Sequence, residues 1–200
     1  MKSSVYFKRS VFIDLDGVMV DWYGGAANLI GDPNIFRDIY LTDPDARSKA
    51  VNLIQQHDVW PKINSEGPEW WANLNPLPWA EELWLTMKKM GKVCVCTSSG
   101  NLKKYASTAS ASSAGKCLWM SKHLPQEDRN HFAICPRKHL LAHPDAVLID
   151  DFKRNTREFS AAGGFGLLWQ NQYKLLEMSE IQRRLYIDSV CDEIREYKTY

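Results

Sequence analysis

One stretch near the start of the chain limits the fold more than any other, Val11-Phe12-Ile13-Asp14-Leu15-Asp16-Gly17-Val18. Its β-branched and aromatic residues predict a buried strand, and the strand ends in two carboxylates separated by one residue. Ligands of open parallel sheets bind beyond the carboxyl ends of the strands. We therefore expect Asp14 and Asp16 to lie where the chemistry takes place, with Gly17 allowing the chain to turn away.

The pattern of an apolar strand followed by polar side chains occurs twice more. Val93-Cys94-Val95-Cys96 runs into Thr97-Ser98-Ser99-Gly100, and Val147-Leu148-Ile149 runs into Asp150-Asp151. Further short strands are predicted at residues 132–135 and 166–169, and helical patterns separate all of these segments. The alternation is typical of βαβ units, so we predict an α/β fold with a doubly wound, parallel, five-stranded sheet.

A helical insertion is predicted directly after the first strand. One helix is expected over residues 22–30, and a second is expected to be capped by Asp43, with Pro44 at its first helical position, and to end near His57. The motif Pro76-Leu77-Pro78 marks the return to the main body. The expected organisation is a small helical cap at residues 20–76 and a core formed by residues 1–19 and 77–200.

The rest of the chain carries weaker signals. Residues 101–114 are rich in serine and alanine, and we expect a loop with a single helical turn before a helix that contains Lys116. The five cysteines follow no CxxC spacing, which favours reduced thiols over a zinc site. The segment from residue 173 to the end is predicted to form one or two amphipathic helices.

Composition excludes several classes of protein. Lysine and arginine number 25 against 24 aspartates and glutamates, so the chain is nearly neutral, which argues against a protein that coats nucleic acid. It has no apolar run of the ~20 residues needed to span a bilayer and no apolar signal segment at its N-terminus. We expect a soluble, cytoplasmic protein without a membrane partner. Whether it forms a homodimer is left open.

Carboxylates gathered at one crevice require compensation, because like charges a few ångströms apart repel. Oxygen ligands together with a substrate phosphate describe a Mg²⁺ site. Hydroxyl and N–H groups at residues 97–100, with the ammonium of Lys116, would bind the remaining phosphate oxygens. This combination indicates phosphoryl transfer, in which one aspartate attacks phosphorus and a second transfers protons.

Taken together, Asp14-Leu15-Asp16-Gly17, Thr97, Lys116 and Asp150-Asp151 resemble the four-motif signature of the haloacid dehalogenase superfamily of phosphatases. Two longer stretches, residues 16–22 and residues 70–78, resemble the 5'(3')-deoxyribonucleotidases within it. The resemblance implies a Rossmann-like core with a small cap, and a Mg²⁺-dependent phosphomonoesterase acting on nucleoside monophosphates. Residues 116–119 and 148–151 continue the likeness.

The resemblance also implies roles for individual residues. Asp14 would be the nucleophile and a metal ligand, and Asp16 the general acid/base that also ligates the metal through its backbone carbonyl. Asp150 and Asp151 would complete the metal site, and Thr97 and Lys116 would hold the transferring phosphoryl group. The implied substrate-binding residues are Trp22, Trp70, Trp71, Ser98, Ser99, Arg137 and Lys138.

The chain departs from the resembled family at two positions, with Phe152 in place of an arginine and Ser99 in place of a proline. Alternative interpretations therefore stay open. The protein could be a 3'-phosphatase acting on nucleic-acid ends or a phosphatase of another small metabolite, and a non-catalytic binding module is the alternative from a different class. For single residues, Asp150 and Asp151 could cap a helix, Lys116 could be solvated, and the tryptophans could fill the core of the cap.

Overall fold

The computed structural model describes residues 9–43, 45–100 and 106–197. Its centre is a five-stranded sheet in which every pairing is parallel, with the order β3-β2-β1-β4-β5. The strands are β1 (Arg9–Ile13), β2 (Gly91–Thr97), β3 (Phe132–Ile134), β4 (Ala146–Asp150) and β5 (Phe165–Leu168). The predicted α/β class and parallel five-stranded sheet are confirmed.

The described residues form ten α-helices, five in the insertion after β1 and five in the rest of the chain. The first five are α1 (Trp22–Ile30), α2 (Ile35–Thr42), α3 (Ala46–Gln56), α4 (Val59–Glu66) and α5 (Pro68–Ala72). The other five are α6 (Ala80–Lys88), α7 (Ala106–His123), α8 (Lys153–Ala161), α9 (Gln172–Leu176) and α10 (Glu180–Glu196). None of these helices is long and apolar enough to cross a membrane.

The strand order brings three strand ends together. Strand β1 lies between β2 and β4, and Ile13 is in register with Val95 on one side and Ile149 on the other. All three side chains are fully buried, and each contributes about 1.5–3 kcal/mol of hydrophobic stabilisation. Because the strands are parallel, the residues that follow them emerge at one edge of the sheet, as the sequence predicts.

The insertion contains more helix than the sequence pattern predicts. Helix α1 has the predicted bounds: the Asp21 side chain accepts from Gly24 N at 2.8 Å, and Gly31 ends the helix with φ of 87°. Helices α2, α4 and α5 were not predicted. Pro61 in α4 is tolerated because it lies in the first turn.

The third helix starts later than the sequence suggests. It begins at Ala46, so Asp43 does not cap it, and Asp43 instead accepts a hydrogen bond from Asp45 N at 2.8 Å. The predicted helical position of Pro44 lies outside the described residues.

The loop predicted over residues 101–114 is wrong from Ala106 onward, because α7 already begins there; residues 101–105 lie outside the described part. Alanine favours helix, and the small residues of α7 permit close packing against α5. A Cβ added to Gly115 would lie 2.3 Å from Pro68 O and 2.4 Å from Trp71 Cβ. Helix α7 therefore belongs to the core and also packs directly against α5, the last helix of the insertion.

The chain enters and leaves the insertion at neighbouring points. Asp21 N donates to Asn75 O at 2.9 Å, and Leu77 N donates to Met19 O at 2.8 Å. Towards the end of the chain, α10 begins with a capping box between Ser179 and Gln182, and its apolar side is buried against the core. The helices predicted after residue 173 are confirmed.

Candidate active site

The first aspartate of the chain lies at the centre of the three strand ends. Asp14 is buried, and its N–H donates to Ile149 O at 2.9 Å, which holds the end of β1 against β4. Its Oδ1 accepts from Leu15 N at 2.7 Å and lies 2.7 Å from Lys138 Nζ. No hydrogen bond from the part of the chain that the structure describes reaches the second carboxylate oxygen, Oδ2, which can therefore take a ligand or react.

The paired aspartates after β4 have different surroundings. Asp150 is fully buried and accepts hydrogen bonds from Phe152 N at 2.8 Å, Asn155 Nδ2 at 2.9 Å and Lys138 Nζ at 2.6 Å. Asp151 lies against the turn that follows β1, where a Cβ on the glycine at position 17 would be 2.6 Å from Asp151 Oδ2. That turn therefore needs glycine both for space and for its φ of 79°.

Carboxylate oxygens of Asp14, Asp150 and Asp151 lie within 4.8 Å of one another. Burial raises the pKa of Asp14 to about 7, with Asp150 and Asp16 adding to the rise and Lys138 opposing it. Burial, followed by the charges of Asp14 and Asp150, raises the pKa of Asp151 to about 8. Lys138 thus compensates only part of the negative charge. An all-oxygen donor set with excess negative charge fits a hard divalent cation such as Mg²⁺.

A second ion pair lies beside this cluster. Lys116 Nζ donates to Asp16 Oδ2 at 2.6 Å, to Thr97 Oγ1 at 3.0 Å and to Ser98 O at 2.7 Å. The ammonium also lies 4.9 Å from the ring centroid of Trp71. Asp16 Oδ1 is buried and has no hydrogen-bond partner among the described residues. Helix α7 thereby delivers one buried cation to the ends of both β1 and β2.

A cavity of about 350 Å³ opens above these groups, which is sufficient for a small molecule. Its floor includes Asp14, Asp16, Asp151 and Lys116, and the loop after β2 forms one side. Aromatic residues of the insertion form another side, and they are Trp22, Tyr23, Trp60 and Trp71. The arrangement places an acidic floor and one ammonium under a largely apolar chamber.

A comparison with known protein families identifies the family of this chain. The family model for the 5' nucleotidase, deoxy (pyrimidine), cytosolic type C protein matches residues 8–184. The chain belongs to this family. Membership of the cytosolic type C nucleotidases indicates a phosphatase, and the matched residues include all the acidic residues of the floor.

Solved structures similar to this nucleotidase-family chain are haloacid dehalogenase-type proteins. A hydrolase from Deinococcus radiodurans, solved with bound phosphate and sodium, has 14% identity and a TM-score of 0.39, covering 80% of this chain and 79% of its own. A haloacid dehalogenase-like protein of unknown function from Agrobacterium tumefaciens has 10% identity and a TM-score of 0.44, and the match covers 92% of this chain and 99% of that protein. A hydrolase from Streptococcus pneumoniae has 13% identity and a TM-score of 0.41, and the match covers 90% of this chain and 98% of the hydrolase. A search of curated proteins finds no match.

Most of the residues implicated by the sequence lie together in this nucleotidase-family site. Those that line the cavity are Asp14, Asp16, Trp22, Trp71, Ser98, Ser99, Lys116 and Asp151. Thr97 and Asp150 are fully buried directly beneath, where they contact Lys116 and Lys138 respectively.

Three of the implicated residues are not among the described residues that line the cavity. Trp70 packs edge-on against Trp71, with ring centroids 4.9 Å apart, and lines a separate groove on the insertion. Arg137 is exposed and is not among the described residues that line the cavity. Lys138 is buried beneath the acidic floor between Asp14 and Asp150, although the resemblance associated it with the sugar and phosphate of the substrate.

The structure adds site residues that the sequence analysis did not single out. Thr108 and Ser112 line the cavity on the same side of α7 as Lys116, and their four-residue spacing would have indicated this if the helix had been predicted from Ala106. Asn155 reaches Asp150 from the first turn of α8. Arg47 lines the cavity from α3, and no motif in the sequence identifies it.

Proposed function

We propose that the protein is a cytoplasmic, Mg²⁺-dependent phosphomonoesterase that hydrolyses deoxynucleoside or nucleoside monophosphates through an aspartyl-phosphate on Asp14. The observation that carries the proposal is the position of Asp14, between an acidic cluster and the Lys116–Asp16 pair, at the floor of a cavity with aromatic walls. The family match supports the nucleotide as substrate.

Asp14 is the nucleophile in this proposal. Its Oδ1 is held by Leu15 N and Lys138, so Oδ2 attacks phosphorus. A bond forms between Oδ2 and phosphorus while the bond from phosphorus to the substrate's ester oxygen breaks. The ammonium of Lys138 keeps the attacking carboxylate oriented.

Asp16 is the general acid and then the general base. Its Oδ2 accepts from Lys116, which leaves Oδ1 to carry the proton. Oδ1 gives this proton to the departing ester oxygen, and in the second step it takes a proton from the water that attacks the aspartyl-phosphate. That step releases inorganic phosphate and regenerates the Asp14 carboxylate.

The remaining groups bind the metal and the substrate. Asp14, Asp150 and Asp151, with the backbone carbonyl of Asp16, would hold Mg²⁺, which supplies positive charge for the phosphoryl oxygens when bound. Lys116, Thr97, Ser98 and Ser99 hold the phosphoryl group from the side of β2. The nucleoside occupies the chamber lined by Trp22, Trp60 and Trp71, where aromatic faces can stack on a base.

The test is phosphate release with Mg²⁺ and with EDTA. The panel contains 5'- and 3'-nucleoside monophosphates, a 3'-phosphorylated oligonucleotide and an aryl phosphate. We expect metal-dependent release from deoxynucleoside monophosphates. Release from the aryl phosphate alone would retain the chemistry and reject the nucleotide, and preferential release from the oligonucleotide would favour a nucleic-acid end as substrate.

Two variants test the covalent step, with phosphate-labelled substrate and acid quenching. Asp14→Asn should form no labelled enzyme and lose turnover. Asp16→Asn should turn over slowly and accumulate labelled enzyme, because the aspartyl-phosphate forms but its hydrolysis lacks a base. The matched control is Asp192→Asn on the surface of α10, which should behave as the wild type. Full activity of Asp14→Asn with Mg²⁺ would show that the covalent mechanism is wrong.

A further inference from the structure

Helix α3 places one guanidinium at the edge of the cavity. The guanidinium carbon of Arg47 lies 3.6 Å from the ring centroid of Phe152, the residue that follows the paired aspartates, and both side chains line the cavity. A cation this close to an aromatic face is attracted to it and loses some of its freedom. The contact joins the insertion to the core beside the acidic floor.

No carboxylate of the described residues lies within ion-pair distance of Arg47. It differs in this respect from the other cationic residues at the site, because Lys116 is paired with Asp16 and Lys138 with Asp14 and Asp150. An arginine side chain has five N–H donors and no acceptor. The charge of Arg47 lowers the pKa of Asp151, but no ion pair or hydrogen bond joins the two, so the guanidinium offers its N–H donors to whatever occupies the cavity.

The surroundings indicate which part of a substrate meets these donors. The phosphoryl group already has Lys116, Thr97 and the loop after β2 on the opposite side of the floor. On α3, the cavity-lining residues beyond Arg47 are Ala50, Val51 and Ile54, which form an apolar wall. Arg47 stands at one end of the surface against which the body of the leaving group would lie.

We propose that Arg47 is a substrate-binding residue for the leaving group rather than for the phosphoryl group, and that Phe152 is the positioning residue that directs it. This inference rests on the proposed nucleotidase function. The guanidinium recognises acceptor atoms of the nucleoside, whether on its base or on its sugar, and the stack with Phe152 keeps it over the cavity. Binding of the leaving group then also strengthens the contact between α3 and the core.

The two reaction products separate the alternatives, because inorganic phosphate carries only the phosphoryl part and the nucleoside carries only the leaving group. Inhibition by each product is measured with an aryl phosphate as substrate, for the wild type and for Arg47→Ala. A lost charge-assisted hydrogen bond corresponds to about a tenfold or larger rise in the inhibition constant of the nucleoside. The inhibition constant of phosphate should change by less than about twofold, within normal variation between surface variants.

Further variants isolate the cause. Arg154→Ala is the matched control, since Arg154 lies 4.9 Å from the same ring but does not line the cavity, and nucleoside inhibition should be unchanged. Arg47→Lys keeps the charge without the planar fork and should recover only part of the binding. Phe152→Leu should weaken nucleoside inhibition while Arg47 is still present, and thermal unfolding checks that every variant is folded.

Equal weakening of phosphate and nucleoside in Arg47→Ala would overturn the proposal, because the residue would then act on the phosphoryl group or on the fold. Unchanged nucleoside inhibition would overturn it as well. A wild-type enzyme that cleaves the aryl phosphate but is inhibited by no nucleoside would instead reject the proposed function, and this inference with it.

Discussion

Replacing Lys138 with methionine gives the sharpest test of how the acidic floor is stabilised. The Lys138 side chain is almost completely buried, with Nζ 2.7 Å from Asp14 Oδ1 and 2.6 Å from Asp150 Oδ2. Burial alone would lower the pKa of Lys138, but the two carboxylates outweigh it, so the group stays charged. Lys138→Met keeps most of the volume and removes the only cation among the described residues that forms an ion pair with both acids.

The magnitude follows from the burial of the pair. Removing one partner of a buried ion pair costs about 3–5 kcal/mol, because the other charge is left uncompensated. For a chain of this size each kcal/mol shifts the melting temperature by about 2–4 °C, so Lys138→Met should melt about 6–20 °C below the wild type in EDTA. If the carboxylates bind Mg²⁺ as proposed, excess Mg²⁺ should narrow the difference, since the ion would supply positive charge to the same groups.

The assay is thermal and urea unfolding at neutral pH, with and without Mg²⁺. Lys122→Met is the control: Lys122 is an exposed lysine that donates to Asn73 Oδ1 at 2.9 Å, and its loss should cost no more than about 0.5 kcal/mol. Equal melting temperatures for the two variants in EDTA would refute the reasoning. It would mean that the floor carries too little charge without metal to need Lys138.

Two further substitutions test other parts of the fold. Gly115→Ala places a methyl group against the backbone of α5 and should destabilise the protein by about 1–3 kcal/mol. The kcat should also fall, because the neighbouring Lys116 shifts. An unchanged melting temperature and kcat would contradict the close packing. Asp128→Asn should cost about 1 kcal/mol near neutral pH. Burial would raise the pKa of Asp128, but hydrogen bonds from Lys88 and Trp84 hold it below 3.8, so this stabilisation is present above pH 4 and lost as the pH falls through the lower native value. Urea unfolding from pH 3 to 7 should therefore show the two proteins converging in acid, and a constant difference would contradict the assignment.

Much of the fold could be predicted because the local sequence patterns agree with the overall α/β topology. Apolar strands that end in acid or hydroxyl residues identify both the sheet and its functional edge, and Asp14 and Asp150 lie where this pattern placed them. The first half of helix α7 was harder, because its buried residues are Thr108, Ala109, Ser112 and Gly115, which give almost no apolar periodicity.

The site residues that the sequence could not place depend on tertiary contacts. Trp70 and Trp71 are adjacent on a helix of five residues, and only the packing of α5 decides which ring meets the cavity. Lys138 follows β3 in a short helical turn, and its burial under β1 and β4 depends on the order of the strands. Arg47 lies in a helix that the sequence predicted, and only the packing of α3 beside Phe152 brings its guanidinium to the cavity.

The close contact of Gly115 with α5 has a consequence for protein engineering. The insertion is not structurally separable from the core, because its last helix, α5, packs closely against α7, the helix that carries Lys116. In addition, Trp119 Nε1 of α7 donates to Leu74 O, just after α5, at 2.9 Å. We propose that the exchangeable part of the cap is residues 35–66, α2 to α4. A graft with these limits would alter the wall of the cavity and leave Lys116 in place, whereas replacement of all of residues 20–76 would also remove α5, against which the helix of Lys116 packs.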